Sequence, residues 1–237
     1  MKILITGGSR GIGAECVKKF ANEGNTVSFI YNKSDDCAGE LSRTTGAIAI
    51  KADARDLDAL KMAVKAAMLK MGGIDVLVNN AGVSLIKLFT DVSDDELKNV
   101  FDVNLVAATV ASREAAKCMI SAHSGKIINI GSVWGRVGAS CEVVYSASKA
   151  GLEGLTKALA KELGPSGITV NCVEPGVIDT EMNSELTDED LACLCDETPL
   201  CRIGTVEDVA NAVLLLASEK AAFVTGQIIG VDGGFGL

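Results

Sequence analysis

The sequence predicts an α/β protein, a doubly wound parallel sheet with helices on both faces. Three observations point there. Short apolar runs alternate with amphipathic stretches from one end of the chain to the other. The apolar runs lack the polar alternation of a strand with one wet face, as expected where both faces are covered. The first run leads straight into a glycine-rich loop that opens a helix. Crossovers between parallel strands keep one hand, so repeated β-α-β units wind helices onto both faces of one sheet.

Residues 3–5 are the first strand, 12–23 the first helix and 27–31 the second strand. A helix over 37–44 leads to a strand at 47–52. Residues 57–71 read as a helix, with Leu57, Leu60, Val64 and Met68 at helical spacing. A short strand at 76–79 precedes one long helix over 94–120. A strand at 126–130, a helix at 145–163 and a strand at 168–173 follow. A helix at 207–217 and a strand at 227–231 close the series. The 237 residues permit one domain or two. No Pro/Ser-rich linker and no repeat interrupts the order, so residues 1–237 are expected to form a single domain. The segment 178–202 is acidic and Cys-rich. It reads either as a cover over a ligand crevice or as a surface loop with one helix.

Hydrophobic residues at 48% and charged residues at 22% exclude a disordered chain. With 22 basic and 31 acidic residues the net charge is −9, which argues against a general nucleic-acid binder. The eight cysteines form no CxxC pair, and the one histidine, His123, is remote from Cys193 and Cys195. Reduced, mostly buried thiols and no metal site are therefore expected. The N-terminal apolar run is too short for a signal peptide. No stretch approaches the ~20 apolar residues of a membrane span. The cytoplasm is the expected location.

Thr6-Gly7-Gly8-Ser9-Arg10-Gly11-Ile12-Gly13 lies between the first strand and the first helix. Glycine permits a tight turn and a close approach of backbone to a ligand. The helix start offers unpaired N–H groups and a positive dipole end, which suit a pyrophosphate. The same loop would also serve as a plain tight turn. Tyr145 and Lys149 stand four residues apart on one face of a helix. A free tyrosine titrates near 10 and is a poor proton-transfer group until a nearby ammonium favours its phenolate. Ser132 ends the preceding strand.

The spacing Gly-x-x-x-Gly-x-Gly, with Asn79-Asn80-Ala81-Gly82, Ser132, Tyr145-x-x-x-Lys149 and Pro175-Gly176, resembles the short-chain dehydrogenase/reductase family along essentially the whole chain. The resemblance implies a single-domain Rossmann-type fold and an active oxidoreductase acting on CH-OH or C=O groups. In that resemblance Tyr145 donates a proton to a carbonyl oxygen as hydride arrives. Lys149 lowers the tyrosine pKa and binds the nicotinamide ribose. Ser132 hydrogen-bonds the substrate oxygen, and Asn104 holds a water that links Lys149 to solvent. The implied cofactor contacts are Gly7, Ser9, Arg10, Gly11, Ile12 and Gly13 in the glycine loop. Asn32, Asp53 and Ala54 lie at the adenosine end, and Asn80, Ala81 and Gly82 along the cleft. Pro175, Gly176, Ile178 and Thr180 frame the nicotinamide, together with Tyr145 and Lys149.

The cofactor's phosphate follows from charge. The second strand runs into Asn32-Lys33-Ser34, with no acid before Asp35 to repel a 2′-phosphate. Arg10 can take such a phosphate in a forked contact. NADPH is expected over NADH. Glu174 departs from the small or polar residue usual in the family.

Several segments resemble bacterial 3-oxoacyl-acyl-carrier-protein reductases of fatty acid biosynthesis, among them Gly167-Ile168-Thr169-Val170-Asn171 and Asp232-Gly233-Gly234. Those reductases dock an acidic carrier through arginines at positions held here by His123 and Ser166. The loop from Val133 to Val143 instead resembles elongation factor P 5-aminopentanone reductases, whose ketone is carried on a lysine of that factor. Glu142 would pair with an amine there. A small-alcohol or hydroxysteroid dehydrogenase, or a non-catalytic nucleotide-binding scaffold, are further alternatives. The resemblance also implies a homotetramer or homodimer. Ala107, Ala108, Ala111, Gly151 and Gly154 would permit close packing of helices between subunits, or of helix on sheet.

Overall fold

The structure is a computed structural model, and it describes residues 1–181 and 187–236. Seven parallel strands form one sheet in the order β3-β2-β1-β4-β5-β6-β7. They are β1 (Lys2–Thr6), β2 (Thr26–Tyr31), β3 (Ile48–Lys51), β4 (Val76–Asn79), β5 (Gly125–Ile130), β6 (Ile168–Pro175) and β7 (Ile228–Val231). The chain builds outward from β1 to β3, then returns to β1's other side with β4. That reversal opens a crevice beyond the carboxyl ends of β1 and β4.

The period of two along the strands splits the core into two layers. Ile3 and Ile5 of β1 face α1 (Gly11–Asn22), α2 (Asp35–Thr45) and α9 (Val206–Ala217). Leu4 faces the other layer, with α3 (Leu57–Met71), α5 (Ala107–Ala122) and α7 (Val143–Leu163). Both layers are predominantly apolar, which explains why the strands read as largely apolar runs, although Asn79, Ser112, Asn129 and Thr156 form a buried hydrogen-bonded row within them. Turn chemistry ends the helices. Gly46 and Gly72 take left-handed conformations after α2 and α3, and capping boxes at Ser93–Glu96 and Thr205–Asp208 start α4 (Asp94–Phe101) and α9.

Most element ends fall within two residues of the sequence-predicted ones. The long helix over 94–120 is a correction. It consists of α4, a wide π turn at Asp102–Val106, and α5. Periodicity does not reveal one extra residue in a turn. The short α6 (Val133–Val137) is also absent from the sequence expectation, since five residues carry no periodic signal. In the segment 178–202, α8 (Asp188–Glu197) is helical, and residues 182–186 lie outside the described residues.

The expectation of mostly buried thiols fails. Only Cys16 and Cys172 are buried; Cys37, Cys193 and Cys201 are exposed and the other three half-buried. The small residues proposed for subunit packing are also largely used within the chain. Ala107, Ala108 and Ala111 are buried in its own core, and a side chain at Gly151 would strike Leu105. Gly154 alone of that set faces open space. Among the described residues, no helix is long and apolar enough to cross a membrane.

Candidate active site

The crevice at the strand ends is lined at one end by backbone and at the other by side chains. At the β1 end, Thr6 Oγ1 accepts hydrogen bonds from the N–H groups of Asn80 and Ala81, each at 3.1 Å. Asn80 Nδ2 donates back to the carbonyls of Thr6 and Gly7 at 3.1 and 2.9 Å. The loops after β1 and β4 are thereby fixed against each other. There is no room for side chains between them. A Cβ on Gly13 would lie 2.3 Å from the Gly7 carbonyl oxygen, and one on Gly7 would lie 2.8 Å from Ala81 Cα.

Gly7 and Gly11 have φ of +65° and +52°, conformations that favour glycine. Gly11 begins α1, and no side chain caps that helix or places a carboxylate in its first turn. Its first N–H groups and positive dipole end stand at the crevice. Ser9 and Ile12 are half-buried beside them, and Arg10 is exposed.

Arg10 is not a bare basic spot. Its guanidinium pairs with Glu181, and both side chains are largely exposed. The pair ties the glycine loop to the segment following β6. Ile178 pairs with Gly204 in a short bridge, and Thr180 sits beside Gly11. Beyond β3, Arg55 holds Asp53 from its backbone N–H and its guanidinium, and lowers the Asp53 carboxyl to about 2. Asn32 hydrogen-bonds the same carboxylate. Asp35 is held by Lys51 at 2.6 Å and by the Tyr31 hydroxyl at 3.1 Å. Both acids are therefore charge-compensated. Ala54 follows Asp53 at the end of β3.

The other end is built from buried polar side chains. Ser132 lies two residues past β5 and caps α6 by accepting the Trp134 N–H at 3.2 Å. Tyr145, in the first turn of α7, is buried, with Ser132 in hydrogen-bonding reach. Burial pushes the tyrosine up to about 12, against the lowering effect of Ser132; the charge of Glu142 adds to the rise. Lys149 is buried one turn on. Its Nζ donates to the Ile130 carbonyl at 2.8 Å and lies 5.7 Å from the centre of the Tyr145 ring. Burial lowers Lys149 to about 8.

Asn104 sits inside the π turn. Three hydrogen bonds fix its side chain. Oδ1 accepts the Val83 N–H at 2.8 Å, while Nδ2 donates to the Val83 carbonyl and to Ser148 Oγ, each at 3.0 Å. A Cβ on Gly82 would lie 3.4 Å from both Asn104 Oδ1 and Lys149 Nζ, so Gly82, Asn104 and Lys149 meet at one point. Pro175 ends β6. Gly176 N–H donates to the Val231 carbonyl at 3.1 Å, and a side chain there would strike Asp232.

The structure thus brings Asn104, Ser132, Tyr145 and Lys149 together and lays the glycine loop, Asn80-Ala81-Gly82 and Pro175-Gly176 along the same crevice. Sequence reasoning missed several supports. Thr6 ties the two loops, and Ser148 links Asn104 to the Tyr145 carbonyl. Arg136 joins Glu174 to Asp232. Each is a contact between distant segments, and only Thr6, at the strand end, had a positional signal.

Comparisons with known proteins agree with this fold. The family model described as enoyl-(acyl carrier protein) reductase matches residues 7–236. A 3-oxoacyl-acyl-carrier-protein reductase of Staphylococcus aureus is 40% identical over 236 residues, which cover 98% of this chain and 96% of that protein. A short-chain dehydrogenase/reductase from Serratia marcescens superposes with a TM-score of 0.93 at 41% identity, covering 99% of this chain and 97% of that one. A blue fluorescent protein from a metagenomic library, solved in complex with NADPH, superposes with a TM-score of 0.91 at 38% identity and the same coverage. Likeness of this degree along nearly the full chain places the protein in the short-chain dehydrogenase/reductase family.

Proposed function

We propose that residues 1–237 form one domain that reduces a ketone with NADPH, and that its substrate resembles that of the 3-oxoacyl-acyl-carrier-protein reductases. The observation that carries this reading is the convergence of Ser132, Tyr145 and Lys149 beside the uncapped start of α1. The crevice fits a dinucleotide. Glycine loops leave a cradle that side chains would fill, and open N–H groups stand at a positive helix end. Gly7, Ser9, Gly11, Ile12 and Gly13 would hold the pyrophosphate, and Asn32, Asp53 and Ala54 the adenosine. Asn80, Ala81 and Gly82 would line the cleft, and Pro175, Gly176, Ile178 and Thr180 would frame the nicotinamide. Arg10 would exchange Glu181 for a 2′-phosphate, since an exposed ion pair is weak and a bidentate phosphate contact is stronger.

When bound, the dinucleotide supplies the hydride that the carbonyl carbon takes up. Ser132 donates a hydrogen bond to the carbonyl oxygen and holds it where negative charge develops. Tyr145 is a neutral hydroxyl at neutral pH and gives its proton to that oxygen, leaving an alcohol and a tyrosinate. Lys149, mostly charged below about 8, stabilises the tyrosinate until solvent returns a proton. Asn104 holds the Val83 loop and supports the water through which that proton arrives.

A second reading is favoured by Glu142. Its carboxyl is half-buried, raised by burial, and near enough to Tyr145 for its charge to be felt. An amino-ketone carried on elongation factor P would place a cation there. The position of His123 and Ser166, where carrier-binding reductases have arginines, and the net charge of −9 also disfavour an acidic carrier. The family resemblance supports a homotetramer or homodimer.

A substrate panel with NADPH tests the proposal, comparing acyl-thioester ketones, modified elongation factor P and free small ketones. Turnover of the thioesters is the expected result. NADPH binding with no turnover of any ketone would favour a nucleotide-binding scaffold. Unchanged discrimination between amino-ketones and thioesters in Glu142→Gln would remove the second reading.

A further inference from the structure

Glu174 has no part in the chemistry above, yet it is 1% exposed and points from β6 toward α7. A buried carboxyl is costly unless it is paired or hydrogen-bonded. Its surroundings are unusual. A Cβ on Gly131, the residue before Ser132, would lie 3.1 Å from Glu174 Cγ, so the glutamate packs directly behind the serine. Arg136 of α6 approaches it, with Nε 3.7 Å from Oε2, and the same guanidinium donates to Asp232 Oδ2 at 2.7 Å. Asp232 lies just past β7, against Gly176. One arginine therefore joins α6, whose first turn is capped by Ser132, to the two strand ends that flank Pro175-Gly176.

The groups facing Glu174 come from four directions. Arg136 approaches from α6 and Asp232 from beyond β7. Cys172 is on the same strand, with Lys149 beyond it. Glu153 and Lys157 come from α7, and Lys157 Nζ lies 3.2 Å from Glu153 Oε2. The Glu153 carboxyl is within hydrogen-bonding reach of Glu174. Glu174 Oε1 is buried and accepts no hydrogen bond from any described residue. Two carboxyls in contact are satisfied when they share one proton.

We propose that Glu174 and Glu153 share a proton and that the pair, through Arg136, positions Ser132 against the segment that frames the nicotinamide. Burial and the neighbouring Glu153 raise Glu174 to about 7. Below that pH the pair is closed, with one negative charge set between Arg136 and Lys157. Above it both carboxyls are charged and repel. Glu153, nearer the surface, turns toward Lys157, while the trapped Glu174 draws Arg136 away from Asp232. The short helix α6 then moves, and Ser132 with it.

This inference rests on the ketone-reductase reading for its consequence, but its direct test does not. Trp134, the chain's single tryptophan, sits in α6 between Ser132 and Arg136, with its ring 5.4 Å from Phe235. Its fluorescence reports α6 with no substrate or cofactor present. The wild-type protein should show a fluorescence transition with its midpoint near pH 7, the transition absent in Glu174→Gln. Glu153→Gln, at the more exposed member, should also abolish it and guards against misfolding of the buried variant. If the midpoint persists in both variants, the proposal is overturned. Where a ketone is turned over, kcat should follow the same transition in the wild type, and both variants should lose that limb of the profile. A fluorescence transition without turnover would leave the pair standing and remove only the reductase reading.

Discussion

The two ends of the crevice are built on opposite plans. Around Gly7, Gly13 and Asn80 the walls are backbone, and what matters is the absence of side chains. Around Ser132, Tyr145, Lys149 and Glu174 the walls are buried polar side chains, the last three titratable, and what matters is their charge. The first plan makes a rigid cradle that pH does not change. The second makes a site whose properties follow the proton. Substitutions should therefore act on geometry at one end and on titration at the other.

The largest effect is expected at the proton donor. Tyr145→Phe should lower kcat for ketone reduction by about 10²–10⁴-fold while leaving NADPH affinity nearly intact. Comparable loss of NADPH binding would mean that the two ends are not separable. Next comes Gly13→Ala, whose methyl would strike the Gly7 carbonyl and Asn80. It should destabilise the fold by about 1–3 kcal/mol and weaken NADPH binding, measured by denaturant midpoint and by titration. Arg10→Ala should raise KM for NADPH by about tenfold and leave KM for NADH unchanged. Equal effects on both cofactors would remove the 2′-phosphate from its role.

A smaller, graded effect concerns pH. Lys149 is charged below about 8 and neutral above it, and its charge favours the tyrosinate. The kcat/KM for reduction should fall as pH rises through about 8, on a limb separate from that near 7 assigned to Glu174. The smallest effect compares two exposed glycines within helices, Gly39 in α2 and Gly154 in α7, both facing open space. Alanine at either should raise stability by about 0.5–1 kcal/mol. If Gly154→Ala alone changes the oligomeric state in light scattering, α7 packs against another subunit.

The same contrast explains what was legible in the sequence. The cradle is written locally. Gly7 to Gly13 and Asn79 to Gly82 are continuous stretches, and the alternation of strands and helices follows from apolar runs in succession. Tyr145 and Lys149 are likewise one helical turn apart. The supports of the second plan are assembled from afar. Arg136, Glu174 and Asp232 come from three elements, and nothing near any of them in sequence announces the others. Glu174 stood out only as a departure from its family. The Arg10–Glu181 pair is hidden for the same reason. Residue type alone points to buried cysteines, but their position on a helix overrides it. Cys37 and Cys193 fall on the wet faces of α2 and α8, and helix phase, not chemistry, decides that.

The π turn at Asp102–Val106 has a consequence for chain length. A π turn closes hydrogen bonds five residues apart where an α-helix closes them four apart, so it is a helix carrying one residue too many. Deleting any one residue there would let α4 and α5 join as a single regular rod, intact as a helix. The wide turn already takes up the extra residue, so α5 would keep about the same phase relative to α4 and the change would fall on the turn itself. The buried stripe of α5 would stay inward, but the Asn104 amide would lose the placement that lets it bond both Val83 and Ser148. Here a gap in the chain would cost more than a change of residue, because the count of residues aims the side chain.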